Sequence, residues 1–350
     1  MDTDLAALRR EVEEVGRAAG LAAVGVASAD AFLTTKKHLE ERKASGLHGG
    51  MHFTYGDPAR STDPSRALPG AKTLVVGALA YRRADPPKPP VAVAARVARY
   101  SWRDHYEPLR AMLTHIADRL EGRGYATRVL VDDNALVDRE AAYRAGLGWY
   151  GKNTNMLLPG AGSWFVLGSV VTDAALPVEA APVADGCGSC RRCLPACPTG
   201  ALVAPGVLDA RRCLAWLLEA PGDFPEEYRV ALGDRLYGCD DCQDVCPPNR
   251  VADRREIAEA GTEDEAWIDV VALLRADDEE LLSQVGRWYI PRRQPRYVRR
   301  NALVVLGNVG DGDSPEVEDV LRRALDGDDD MLRRHAVWAA ERLGRHDLVA

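Results

Sequence analysis

All eight cysteines of this 350-residue chain fall between Cys187 and Cys246, and their spacing constrains the fold more than any other feature. The first four, Cys187, Cys190, Cys193 and Cys197-Pro198, read C-x2-C-x2-C-x3-C-P. The last three, Cys239, Cys242 and Cys246-Pro247, repeat the tail of that run, and Cys213 stands between. In such runs a tight turn wraps three thiolates round one iron–sulfur cluster, and the fourth cysteine reaches a neighbouring cluster. Eight thiolates satisfy two 4Fe-4S clusters.

Zinc also takes thiolates, but structural zinc sites are usually built from separated C-x2-C pairs. Disulfides are uncommon in large intracellular proteins. The crossing rule assigns Cys187, Cys190, Cys193 and Cys246 to one cluster. It gives Cys197, Cys213, Cys239 and Cys242 to the other. A long insert separates Cys213 from Cys239, so Cys213 also reads as a plain buried cysteine. Two adjacent clusters make a short path for single electrons, so the rest of the chain is expected to build a site for something that is reduced.

The length allows two or three domains. A net charge of −8 argues against nucleic-acid binding by the whole surface, while leaving room for a local basic face. No apolar run is long enough to span a bilayer, and residues 1–15 carry no apolar targeting core. A cytoplasmic, monomeric enzyme is expected, with no membrane association.

Leu5, Leu8, Val12 and Val15 fall at helical spacing, and Gly20 is a stop. Strands are expected over 21–27, 73–81, 126–131 and 163–172. Helices are expected over 36–43 and 136–145, and another along Leu109, Met112, Leu113, Ile116 and Leu120. The fold class is therefore α+β over residues 1–175. Residues 176–255 form a ferredoxin-like double-cluster domain, and residues 256–350 an α-helical tail. In that tail Val298-Arg299-Arg300-Asn301-Ala302-Leu303 resembles Leu332-Arg333-Arg334-His335-Ala336-Val337, 34 residues further on. Repetition at that period reads as stacked HEAT-like helical units.

Six arginines, Arg287, Arg292, Arg293, Arg296, Arg299 and Arg300, crowd the start of the tail without an acidic residue, interleaved with Trp288, Tyr289 and Tyr297. They read either as an RNA-binding face, with guanidinium groups for phosphates and aromatics for unpaired bases, or as a solvated helix edge.

Asp132 and Asp133 follow the apolar strand Val129-Leu130-Val131. A carboxylate at the mouth of a strand, against apolar walls, is held protonated to higher pH and serves as an acid. The alternative is a turn aspartate. Asp138, flanked by Arg139 and Glu140, reads as an exposed helix start. The glycine-rich stretch Gly146-Leu147-Gly148-Trp149-Tyr150-Gly151-Lys152-Asn153 is expected to bring backbone close to a large planar ligand. It matches neither the P-loop nor the dinucleotide fingerprint.

Together, Val131-Asp132, Arg144-Ala145-Gly146-Leu147-Gly148-Trp149, Gly151-Lys152-Asn153, Gly162-Ser163-Trp164-Phe165 and Gly238-Cys239-Asp240-Asp241-Cys242-Gln243 resemble the epoxyqueuosine reductase family over nearly the whole chain. The resemblance implies reduction of epoxyqueuosine to queuosine at the tRNA wobble position, with cobalamin and two 4Fe-4S clusters. It implies a nitroreductase-like cobalamin-binding N-terminal domain, an external low-potential electron donor and an anticodon loop as partner. The proton-donating aspartate falls on Asp132. Cobalamin contacts fall on Arg60, Asn153, Met156 and Leu167 and on the backbone at Asp240 and Asp241. The chain has no D-x-H-x-x-G stretch to supply a lower histidine ligand to cobalt. A cobalamin-dependent reductive dehalogenase, a ferredoxin-like electron carrier and a zinc-bearing RNA-binding module are the rival readings.

Overall fold

The computed structural model describes residues 2–179, 181–253 and 258–349. The expected domain boundary at 255/256 lies outside the described residues. In chain order the strands are β1 (Ala23–Ser28), β2 (Thr73–Ala80), β3 (Ala94–Val97), β4 (Thr127–Val131), β5 (Trp149–Tyr150), β6 (Met156–Leu157), β7 (Phe165–Thr172), β8 (Leu202–Ala204), β9 (Val207–Leu208), β10 (Arg235–Tyr237) and β11 (Trp267–Asp269).

The N-terminal part is built on an antiparallel sheet of order β1-β2-β7-β4. Strand residues alternate between faces. Leu74, Val76 and Ala78 enter one core with Leu130 and Val171; Val75 enters the other with Val131 and Val170. Both faces are covered, which explains why β2 reads as a continuous apolar run. Helices Asp2–Ala18 and Tyr106–Glu121 cover one face, and Asp138–Arg144 the other. Leu109, Leu113, Ile116 and Leu120 are fully buried, each contributing about 1.5–3 kcal/mol of burial. Gly77 belongs to this packing, because a Cβ there would press on Leu21 and Leu113.

The remaining core does not follow the chain in order. A second sheet of order β10-β3-β11 joins three distant segments; β3 runs parallel to β10 and antiparallel to β11. Val93, Ala95, Val97 and Trp102 share one apolar cluster with the cluster segment and the tail. Residues assigned from sequence to the first domain are thus embedded in the core of the other two.

In the tail, helix Arg296–Val309 packs between Leu214–Glu219, Glu226–Leu232 and Asp330–Arg342. It is buried over most of its length. Its neighbours start at well-formed caps: Ser314 accepts from Val317, and Asp329 from Met331 and Leu332, each such cap being worth about 1 kcal/mol. The helices starting at Arg296 and Asp330 stand at the 34-residue offset read from the sequence. Among the described residues, no helix is long and apolar enough to cross a membrane.

Candidate functional site

The eight cysteines are free thiols, and the fold sorts them into two groups. Cys193 lies within electrostatic reach of Cys187 and Cys190, and Cys246 within reach of all three. Cys213 is close to Cys197; Cys239 is close to Cys213; and Cys242 senses Cys239, Cys213 and Cys197. These are the two crossed quartets of the spacing argument, and Cys213 is brought into the second despite its distance in sequence. Burial pushes the Cys239 thiol up to about 12 and the Cys246 thiol up to about 11. Thiols brought together in this way suit a cationic centre once deprotonated. The Ala201 amide donates to the Cys197 sulfur at 3.2 Å. Gly238, at φ +68°, lets the chain turn into Cys239 where a Cβ would strike Ala98 and Tyr100.

The glycine-rich loop has a different job from the one expected. A Cβ at Gly148 would collide with the Leu157 carbonyl, and one at Gly151 would crowd Asn153 and Leu157. These two glycines let the loop fold back on its own hairpin, β5–β6. Its polar side chains then clamp the cluster segment. Lys152 Nζ donates to the carbonyls of Gly188 and Cys190 at 2.5 and 2.9 Å, so it is not the free surface residue that its sequence position allows. Buried Asn153 donates to the Cys242 carbonyl at 3.2 Å. Ser163 adds a second clamp: its amide donates to Asn249 Oδ1 at 2.6 Å, and its hydroxyl pairs with Gln243 at 2.8 Å.

Asp132 follows β4 directly, at φ +50°. A left-handed backbone on a residue other than glycine costs about 1 kcal/mol or more and clusters at functional sites. Asp133, not Asp132, fills the turn role, accepting from the Ala135 amide at 2.8 Å. Burial raises the Asp132 carboxyl above the usual range, against the pull of Arg110. The residue is nonetheless exposed. The two facts agree if Asp132 stands in an open cleft, which solvent enters while protein on several sides strips away part of its hydration.

Three groups from separate elements lie within electrostatic reach of Asp132. Tyr106 senses Asp132, Asp138 and Glu219 together. Asp138 is raised well above the carboxylate range by burial and by Asp132, so it is not the solvated helix start expected from its neighbours. Glu219, at the end of the helix that begins after Cys213, is raised by burial to about 7 and also senses Asp132. It accepts from the Tyr100 hydroxyl at 2.9 Å. Sequence reasoning missed Glu219, Tyr100 and Tyr106, because no motif carries them and only tertiary folding brings them to Asp132. Helix Leu214–Glu219 therefore runs from Cys213 to a carboxyl that senses the strand-end acid.

The other expected contacts are dispersed. Arg60 is exposed beside the Asp57 cap. Met156 is buried, and Leu167 is half-buried on β7. Asp240 accepts from the Arg99 amide at 2.8 Å, and burial raises its carboxyl to about 6. Asp241 is held by Arg235 through contacts of 2.6 and 2.7 Å. Both carboxylates are engaged within the protein.

The arginine run does not form one face. Arg300 is fully buried, donating to the carbonyls of Leu217, Leu218, Ala220 and Gly222. As a buried carbonyl cap it is withdrawn from the RNA-contact set. Arg287 pairs with Glu265 and donates to the Ser101 and Trp102 carbonyls. Arg296 pairs with Asp329, and Arg299 with Asp278. Arg292 and Arg293 are exposed, both in the left-handed region at φ +52° and +57°. Tyr289 is exposed beside them, whereas Trp288 is buried.

An α+β body, two crossed cysteine quartets and a cleft with a high-pKa acid define an iron–sulfur oxidoreductase. Residues 186–249 match the 4Fe-4S double cluster binding domain, and residues 61–133 match the model described as epoxyqueuosine reductase QueG, DUF1730. The chain is 34% identical to an epoxyqueuosine reductase of Xanthomonas campestris, with 99% of this chain and 97% of that one aligned. It is also 34% identical to that of Bacillus subtilis, over 96% and 88%. A crystal structure of epoxyqueuosine reductase with an epoxyqueuosine-modified tRNA-Tyr stem loop superposes with a TM-score of 0.88 at 32% identity, covering 97% of this chain and 91% of that one. The Streptococcus thermophilus structure superposes at 0.85 and 28% identity, covering 95% and 90%. The chain belongs to the epoxyqueuosine reductase family.

Proposed function

We propose that this chain reduces epoxyqueuosine to queuosine at the wobble position of tRNA, with two 4Fe-4S clusters and cobalamin. The observation that carries this reading is Asp132, a carboxyl of raised pKa sensed by Glu219 on the helix that runs from Cys213. The balance is simple: an epoxide, two electrons and two protons give an alkene and water. A relative from Bacillus subtilis, superposing at 0.87 and 31% identity, is described with a catalytic aspartate loop swung out of its active site. That supports Asp132, on its strained loop, as the acid.

Two tyrosines and the acid stand where solvent and protein meet. Tyr100 and Tyr106 are half-buried and Asp132 is exposed, yet burial raises all three. We read the four-stranded N-terminal body as a nitroreductase-like cobalamin fold, with the contacts at Arg60, Asn153, Met156, Leu167, Asp240 and Asp241. Cobalamin, when bound there, would supply the two-electron reducing chemistry. The chain's own residues do the rest. Asp132 donates a proton to the departing oxygen, which avoids a free alkoxide. Burial and the neighbouring Asp133 raise the Asp132 carboxyl, against the pull of Arg110. Lys152 and Asn153 fix the clusters relative to the cleft.

The anticodon loop would present its wobble base to the cleft. Arg292, Arg293 and Tyr289 are the exposed groups best suited to meet it, with Arg287, Arg296 and Arg299 contributing charge from behind. The 34-residue offset of the tail helices supports a HEAT-like reading of that surface. We read the protein as a cytoplasmic monomer supplied by an external low-potential donor. The test is anaerobic incubation of the reconstituted protein with cobalamin, a chemical reductant and epoxyqueuosine-containing tRNA, followed by nucleoside mass analysis. Queuosine, one oxygen lighter, is expected. Unchanged nucleoside with fully reduced clusters would overturn the reading.

A further inference from the structure

The two cysteine quartets are not equivalent in position. The second contains Cys213, which starts the helix ending at Glu219, and Glu219 interacts with Asp132. It also contains Cys239 and Cys242, flanked by buried Gly238 and Gln243. Through that helix this quartet is tied to Asp132. The first quartet lies in a loop whose residues Ala184, Asp185, Gly186, Gly188, Ser189 and Arg191 are all exposed. Electrons arriving from outside therefore have a short way in at one end and a short way to the substrate at the other.

The chemistry of that exposed loop is also distinctive. Arg191 and Arg192 follow Cys190 directly and are both exposed. Among the described residues, neither guanidinium has a side-chain hydrogen bond or ion pair. Lys152 adds a third positive charge, against the carbonyls of Gly188 and Cys190. The one acid in the loop, Asp185, accepts from the Cys187 amide at 2.8 Å. The small side chains at Gly188, with open space around it, and exposed Ser189 leave a partner free to approach the quartet closely. In a chain of net charge −8, an acidic protein is repelled by most of the surface and steered to a basic spot of this kind.

We propose that the exposed loop around Cys187, Cys190, Arg191 and Arg192 is the docking face for a small acidic one-electron carrier protein. Electrons enter at the Cys187/Cys190/Cys193/Cys246 quartet and leave from the Cys197/Cys213/Cys239/Cys242 quartet. This rests on the double-cluster reading above. Each encounter oxidises the carrier by one electron and reduces one cluster by one electron, so two encounters supply one epoxide reduction.

The experiment uses the full chain with both clusters assembled and a reduced flavodoxin as the acidic probe. Stopped-flow absorbance follows cluster reduction. The wild-type bimolecular rate is expected to fall steeply as salt rises from about 0.02 to 0.5 M, where the screening length becomes short. Arg191→Glu with Arg192→Glu should slow reduction at low salt by about 10-fold or more, within the range electrostatic steering provides, and the difference should vanish at high salt. Reduction by methyl viologen radical, a small cation, should not be slowed, which shows that the clusters are intact. Arg10→Glu with Arg322→Glu makes the same change in net charge elsewhere and should leave the flavodoxin rate near wild type. A wild-type rate indifferent to salt would overturn the proposal, as would an unchanged rate in the loop variant or equal slowing in the remote one. The milder pair Arg191→Gln with Arg192→Gln gives the same reading if the glutamates disturb the clusters. Failure of methyl viologen to reduce even the wild type would instead count against the double-cluster reading itself.

Discussion

Lys152 donates its Nζ to the carbonyl oxygen of Cys190 at 2.9 Å, placing an ammonium group against the loop that carries three cluster ligands. A fixed positive charge favours the reduced, more negative state of a nearby cluster, because net charge is one of the levers on iron–sulfur potentials. Lys152→Gln is expected to retain both clusters and make one of them harder to reduce, by roughly tens of millivolts. A redox titration followed by EPR measures the shift. Unchanged potentials would reduce Lys152 to a mechanical clamp.

Asp132→Asn is expected to keep the fold and the clusters while lowering turnover by about 10²–10⁴-fold, the usual worth of a general acid. Burial raises the Asp132 carboxyl, so its protonated form persists to higher pH than that of a free aspartate. Wild-type turnover should therefore fall as pH rises through that raised value. The asparagine variant should lose that limb of the profile. Wild-type turnover in Asp132→Asn would remove the residue from the chemistry.

Glu219 makes a stability prediction of definite sign. Its carboxyl moves from an unfolded value of 4.5 to about 7 in the folded protein, chiefly through burial. Below about 4.5 it is protonated in both states and costs nothing. Between about 4.5 and 7 the unfolded chain ionises first, so the folded protein loses stability as pH rises. Glu219→Gln keeps an acceptor for Tyr100 without the charge. At pH 8 it should melt a few degrees above wild type, with the gain vanishing near pH 4.5. Differential scanning fluorimetry under anaerobic conditions checks this, and a gain independent of pH would contradict it.

Cys213→Ser and Cys246→Ser remove one ligand from different quartets. Each is expected to lower bound iron from about eight to about four per chain, leaving a different cluster behind. Iron analysis with EPR distinguishes the two. Retention of full iron in Cys213→Ser would return that residue to a plain core position.

The arginines divide by depth. Arg300→Ala would leave four carbonyls without their donor in a dry interior, and is expected to destabilise by about 3–5 kcal/mol. Arg292→Ala with Arg293→Ala should change stability by less than about 1 kcal/mol. It should also weaken tRNA-stem-loop binding and flatten its salt dependence. Melting curves beside binding isotherms at two salt concentrations separate the cases.

The cysteine spacing was legible because cluster ligation is a local, periodic constraint, and the crossed grouping followed from it without any structure. Strands β1, β2, β4 and β7 were legible because four to eight alternating or continuous apolar residues outweigh local noise. Strands β3, β10 and β11 were not: three or four residues carry no period, and their pairing is set by the shared core. The arginine run misled for a related reason. Charge suggested one solvated face, but Ala302 to Gly307 is apolar on every side, the mark of an enclosed helix, and Arg300 is buried just ahead of that stretch. Asp132 was singled out by its strand and motif, whereas Glu219 and Tyr106, which sense it, come from elements far away in sequence. In the Gly146–Gly151 stretch, Gly148 and Gly151 make room for the chain's own hairpin, a packing that sequence reading had not foreseen.

The pairing of β3 with both β10 and β11 bears on how the metal centres mature. While the ribosome is still adding residues near 250, every cysteine is already synthesised, but the strand that closes the small sheet is not. Nascent thiols would wait beside an unfinished wall until residues 267–269 emerge. Loading of iron and sulfide should then follow release of the whole chain, and truncation before β11 should yield apoprotein however much iron the cell holds.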